Sequence, residues 1–186
     1  MFKQFRLIAS VLLLCFLPFS AQAASTFTQA NFNTIKAYIL GTPALAALMN
    51  SGQSQQVADA LNAASSPAYI VWRTSVNPDE IMRNGMDWTR VDNLTVGKSR
   101  IWEWMTRLGT FDCSRDNIRA GIDATWVGTS ADLAVRATVY THCKRTATVL
   151  EKVCASGTGS DASPATMTYE GAITPYWVDF AVVNGQ

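Results

Sequence analysis

From Thr26 to Pro175 the chain is punctuated by helix start and stop signals, and these restrict it to a mainly α-helical fold. Thr26-Phe27-Thr28-Gln29 fits a capping box, in which hydroxyl and amide satisfy free N–H groups of the first turn. The helix it opens stops at Gly41. Thr42 caps a second, short helix with Pro43 at its first position, where the missing N–H costs nothing. Ser51-Gly52 breaks that helix, and residues 55–62 form a third. After a linker at 64–67, the β-branched and aromatic run 69–76 reads as an extended segment. Asn77-Pro78-Asp79-Glu80 is a cap, a proline and two acids in the positive first turn of a helix that ends near Gly85. A further helix covers 98–108, and Ser114 caps one that carries Ile118, Ile122 and Trp126 to Gly128. The longest spans 130–155, with a stripe of Leu133, Ala137, Tyr140, Cys143, Ala147, Leu150 and Cys154 at spacings of three and four. Thr174-Pro175 opens a last short helix after a polar loop at 156–165. The expected architecture is a single mainly α-helical domain: a small N-terminal helical hairpin (24–66), a main helical part (67–186), and one or two short extended segments.

The first 23 residues describe an address. Lys3 and Arg6 precede an uncharged apolar run at 7–19, and Ala21-Gln22-Ala23 is the small-x-small pattern a signal peptidase reads, with cleavage between Ala23 and Ala24. The run is shorter than the roughly 20 residues a spanning helix needs. Cys15 follows Leu14 rather than a small residue, which argues against lipid anchoring. Cleavage leaves 163 residues and removes two cations of fifteen, so thirteen Lys and Arg face fourteen Asp and Glu at a net charge of −1. Scattered, balanced charge argues against nucleic acid as a partner and against a polybasic membrane patch. No later segment is apolar and long enough to cross a membrane, so no membrane association is expected once the leader is gone.

The cleaved chain holds Cys113, Cys143 and Cys154, an odd set. If 130–155 is one helix, eleven residues at 1.5 Å each put Cys143 and Cys154 roughly 16 Å apart, beyond the limit of about 7 Å for a disulfide. Cys113 is free to pair with either, but three buried thiols of a reducing compartment are the simpler reading. Leader and cysteines therefore point to different compartments.

Catalytic chemistry has few residues to draw on. His142 is the sole histidine, placed mid-helix on the flank of the stripe, so a Ser–His–Asp or Cys–His arrangement must pass through it; a packing role is the expectation. The same helix keeps Cys113, His142, Cys143 and Cys154 from sharing a metal. Gly157-Thr158-Gly159-Ser160-Asp161 follows a helix C-terminus, the wrong polarity for a phosphate cradle. Paired carboxylates for glycoside chemistry are not identifiable: Asp79 and Glu80 are explained by capping, and Asp87 and Asp92 sit in turn-like sequence. Arg119 and Asp123 form an i,i+4 pair. No catalytic residue, cofactor or metal is assigned.

Six tryptophans are many for this length, and tryptophan with arginine anchors protein interfaces. In Trp102-Glu103-Trp104 the indoles lie about 160° apart on one helix. Trp104 shares a face with Ile101, Met105 and Leu108 and is assigned to the core, leaving Trp102, with Trp72 and Arg73, as the candidate interface.

Several ordered motifs resemble a known family. They are Pro67-Ala68-Tyr69-Ile70-Val71-Trp72-Arg73-Thr74, Arg100-Ile101-Trp102-Glu103-Trp104, Asn117-Ile118-Arg119-Ala120-Gly121, and the loop 157–167 followed by Tyr169-Glu170-Gly171. Together they are similar to small proteins encoded by tailed bacteriophages and prophages within virion-structure gene clusters, over roughly residues 34–171. The resemblance implies a virion assembly context and no more. With the missing catalytic set, the surplus tryptophans and the unpaired cysteines, the expectation is a non-enzymatic structural protein at the head–tail junction or in the tail, assembled in the host cytoplasm. Its implied partners are other virion proteins or further copies of itself in a ring. The leader implies the alternative, an exported prophage-encoded protein that binds or excludes in the periplasm or envelope.

Overall fold

The computed structural model describes residues 26–186; the leader and its Ala23–Ala24 cleavage position lie outside the described residues. Among these the chain is mainly helical, with ten helices and four short strands.

Two large cores organise it, with a small cluster of Val71, Ala147, Ala165 and Met167 at the strands. The first joins α1 (Gln29–Gly41), α2 (Pro43–Asn50) and α3 (Ser54–Asn62) to α9 (Val149–Val153) and α10 (Pro175–Asn184). Ile35, Ile39, Val57, Leu61, Leu150 and Val178 are fully enclosed there. The N-terminal helices therefore share a core with the last two helices, although residues 67–148 separate them in sequence. The second core belongs to α4 (Pro78–Arg83), α5 (Trp88–Asp92), α6 (Val96–Arg107), α7 (Asp116–Thr125) and α8 (Ser130–His142). It is built on Ile81, Trp102, Phe111, Ile122, Trp126 and Val139. Between the cores, β1 (Ile70–Trp72) runs antiparallel to β2 (Lys144–Thr146), and β3 (Ala155–Ser156) antiparallel to β4 (Thr166–Met167).

Local chemistry explains most boundaries. Thr28, not Thr26, is the first cap, in a box closed by the Asn31 side chain. The Asn77 side chain accepts from the Asp79 N–H ahead of Pro78, and the Thr174 hydroxyl from the Trp177 N–H. Helix α5 was not expected: Asp87 accepts from the Thr89 and Arg90 N–H groups and starts a single turn within what reads as a bend. Ser114 does not cap α7 but bonds the Asp112 carboxylate. The loop 157–165 is pinned rather than loose. Ile70 N–H donates to the Gly159 carbonyl at 2.7 Å, and Gly159, at φ +67°, lies so close to the Tyr69 ring that a Cβ there would collide with it.

The helix expected over 130–155 is in fact two. Helix α8 ends at His142, the chain turns extended to pair with β1, and Thr148 opens α9 with its own capping box to Glu151. The buried face of α8 is Asp132, Val135 and Val139 followed by Cys143, so the Leu133–Ala137–Tyr140 stripe faces outward. The break removes the helical spacing that kept Cys143 and Cys154 apart, and of the pairings left open to Cys113 the structure shows the one with Cys143. The Arg73 backbone lies between two of them, receiving the Cys113 N–H at its carbonyl and donating its own N–H to the Cys143 carbonyl at 2.8 Å. This brings their Cα atoms to 5.6 Å, and Cys113 and Cys143 are joined as a disulfide. Cys154 is a free, buried thiol, its pKa pushed up to about 11 by burial. The expectation of three reduced thiols is thus corrected. Peptide mapping after thiol alkylation should find Cys113 linked to Cys143 and Cys154 unmodified until denaturation. Reduction should cost about 3–4 kcal/mol of stability on the chain-entropy model for a loop of this separation, 30 residues.

Asp132 closes the capping box of α8 with Thr129 and receives Arg90 of α5 at 2.8 Å. The Thr129 backbone and hydroxyl hydrogen bonds, then the guanidinium, hold its carboxyl down at about 2. A depressed native pKa stabilises the fold above the unfolded value and loses that contribution as pH falls through the native one. The stability difference between wild type and Asp132→Asn should therefore be constant near neutrality and shrink as pH falls from 3.8 to about 2. Urea unfolding across that range checks this; a constant difference would show an ordinary carboxylate.

Candidate functional site

The exposed chemistry gathers in two places, and α6 carries the first. Trp102 is 6% exposed and meets Phe111 and Trp126 in edge-on contacts at 5.8 and 5.3 Å, whereas Trp104 is 69% exposed. The expected phase of this helix is reversed. Trp102 and Met105 face inward, and Gly121 lets α7 approach Met105 and Ile101 closely. Ile101, Trp104 and Leu108 share the solvent side at spacings of three and four. Trp102 is therefore a core residue and not the candidate interface, and Trp104 takes that place. The indole of Trp126 is fully enclosed, with no hydrogen-bond partner for its N–H.

Arg73 also turns inward. Its guanidinium grips Glu80 with two bonds, at 2.8 and 3.1 Å, and reaches the His142 carbonyl at 2.9 Å. These contacts hold the Glu80 carboxyl below its usual range, chiefly through Arg73. His142 is the last residue of α8. Its Nδ1 lies 3.3 Å from Glu80 and its Nε2 3.1 Å from the Asn84 carbonyl, so both ring nitrogens have structural partners. Among the described residues no three His, Cys, Asp or Glu side chains are grouped to hold a metal ion.

Trp72, the third sequence candidate, lies in the second place. It is half-buried at the end of β1 in an open groove of about 710 Å³ walled by α7, α8, β2 and the 157–165 loop. Tyr140 is tilted against its ring at 5.7 Å, and the Arg119 guanidinium lies 4.8 Å from its centroid. Arg119 is steered there by the Cys113 carbonyl at 2.7 Å and by Asp116, so the expected pair with Asp123 does not form. Asp123 instead accepts from the Tyr140 hydroxyl at 3.0 Å and faces Arg136 at 3.5 Å. Burial first, and Asp123 second, push the Tyr140 phenol up to about 12. Lys144 donates to the Asp161 carbonyl at 2.7 Å. Sequence reasoning missed Arg119, Arg136, Tyr140 and Lys144 as a group, because they converge only through the packing of α7 on α8 and the end of α8 at His142.

Neither place presents a nucleophile beside a free base. Both are suited to gripping another molecule by apolar area and charge. Comparison with known proteins adds nothing to this geometry: no family model matches the chain, no curated protein does, and no solved structure does.

The reversed phase of α6 has a direct test. Trp102→Ala should cost about 3–5 kcal/mol, the usual loss for a large enclosed aromatic. Trp104→Ala should change stability by less than about 0.5 kcal/mol, as surface substitutions do. Thermal and denaturant unfolding of both variants side by side measures the difference.

Proposed function

We propose that this protein is a non-enzymatic structural or assembly protein of a tailed phage or prophage particle, at the head–tail junction or in the tail, working by surface contact with copies of itself and with other virion proteins. The observation that carries the reading is the outward face of α6, where Trp104 and Leu108 are more exposed than any residue of the helix's inner face. Helices normally turn their apolar side inward, and a contiguous exposed apolar face marks an interaction surface. The particle context rests on the resemblance of the ordered motifs to phage proteins. Ring assembly needs a heterologous contact between two different surfaces. Helix α10 offers the second, since it is apolar on nearly every side and leaves Tyr176 and Val183 exposed at a seven-residue spacing.

A second reading, an exported protein acting in the periplasm or envelope, is favoured by the Cys113–Cys143 bond, because disulfides persist in oxidising compartments. It also agrees with the signal-like leader. Two measurements separate the readings. Mass spectrometry of purified particles from an induced lysogen should recover the protein, whereas recovery only from periplasm, with a mass beginning at Ala24, would favour export. Light scattering should show a ring for the mature chain and loss of it in Trp104→Glu and in Val183→Glu. Mixing the two variants should restore a single pair, since each keeps one intact surface. A monomer at every concentration would remove the ring.

A further inference from the structure

We propose that the Trp72 groove is a binding site for an acidic, amphipathic protein segment. This rests on the groove alone and holds whether or not α6 mediates self-association.

The uncovered part of the floor is apolar, Leu133 and Ala137, beside Tyr140, which packs on Trp72 and bonds Asp123. Leu133, Ala137 and Tyr140 recur at spacings of four and three along α8, the pattern of a helix face made to be covered, yet the fold leaves that face lining the groove. Leu133 is exposed, while the neighbouring face of the same helix already fills the second core with Val135 and Val139. Trp72 extends this floor toward β1.

The walls carry charge of an unequal kind. The side chains of Arg119, Lys144 and Arg136 are 20%, 20% and 33% exposed, so they are seated in the surface. The acids they meet stand outside: Asp116 is 94% exposed, Asp161 85% and Asp123 51%. Pairs with such exposed carboxylates are weak and screened by salt. A carboxylate on an incoming segment can take the place of Asp161 on Lys144, or of Asp123 on Arg136, at little cost. Arg136 offers the planar fork that suits a carboxylate.

Shape decides between a small anion and a protein segment. Pockets for small molecules enclose most of the ligand surface, but this groove between α8 and the 157–165 loop is open to solvent. An extended or helical segment lays apolar side chains on such a floor and acids along its rims, the mode used when an amphipathic helix enters a groove.

The test uses the mature protein and a fluorescein-labelled peptide of Leu and Glu in helical repeat, followed by fluorescence anisotropy. Controls are the same peptide with Lys for Glu, and inorganic pyrophosphate as competitor. The acidic peptide should bind, weaken with added salt, and lose about ten-fold or more in affinity with the pair Arg136→Glu and Lys144→Glu. Leu133→Asp, an exposed position that folding does not need, should weaken it as well. Arg83→Glu, a cation 80% exposed outside the groove, should leave it unchanged. Failure of the acidic peptide to bind, equal binding of the Lys peptide, or indifference to the groove substitutions would overturn the proposal. Tight pyrophosphate binding with no effect of Leu133→Asp would also overturn it, in favour of a small-anion site.

Discussion

Arg145 ties the strand pair to the first core. It sits on β2, the short strand that carries the chain from the end of α8 to the start of α9, and its guanidinium reaches Glu151 at 2.6 Å and Glu170 at 2.8 Å. Glu151 is almost wholly enclosed. Burial alone would raise its carboxyl, but the Arg145 bonds and the Thr148 and Gly171 N–H groups outweigh that and hold it low. Glu170 in turn accepts from the Thr74 hydroxyl, just beyond β1. One cation therefore ties β2, α9, the segment after β4 and the chain leaving β1. A buried carboxylate stripped of its cation is an uncompensated charge in a poor solvent, a penalty of several kcal/mol.

The second core has a different anchor. The Arg73 backbone places Cys113 beside Cys143, and the Arg73 side chain fixes Glu80 and the end of α8. The same residue thus closes the loop that contains α4 to α8 from both its main chain and its side chain. Within that loop the edge-on pair of Trp102 and Trp126 brings an indole edge against a π face. The enclosed Trp126 N–H beside it has no hydrogen-bond partner.

Chemistry that acts within four residues was legible in the sequence. Asn77 before Pro78, Thr42 before Pro43 and Thr174 before Pro175 all stand at helix starts, because caps and proline act on their own backbone. The mainly α-helical class followed from them. Phase was not legible. In α6 the set Ile101, Trp104, Met105 and Leu108 is more apolar than the set Trp102 and Met105, and periodicity favours the richer stripe whether the chain or another molecule covers it. In α8 the same preference selected Leu133, Ala137 and Tyr140 over Asp132, Val135 and Val139, since a buried aspartate reads as polar until its Arg90 and Thr129 partners are known. The break after His142 had a local mark, Thr148-x-x-Glu151, which the continuing three-and-four spacing of Ala147, Leu150 and Cys154 concealed.

These two errors of phase have one physical cause. Hydrophobic periodicity reports that a face is to be covered, not by what, and in a domain of this size the surface left over is large. Where a stripe read as core is found outside, as on both α6 and α8, the residues keep the composition of an interior without its neighbours. Around Trp104 the flanking charges are Arg100, Glu103 and Arg107, with Glu103 and Arg107 paired to each other along the helix, which leaves a nearly neutral apolar ridge. Around Tyr140 the flanks are seated cations. The ridge offers nearly uncharged apolar area and the groove apolar area beside cations paired to exposed acids, so the two outward stripes differ in chemistry although one error of phase explains both.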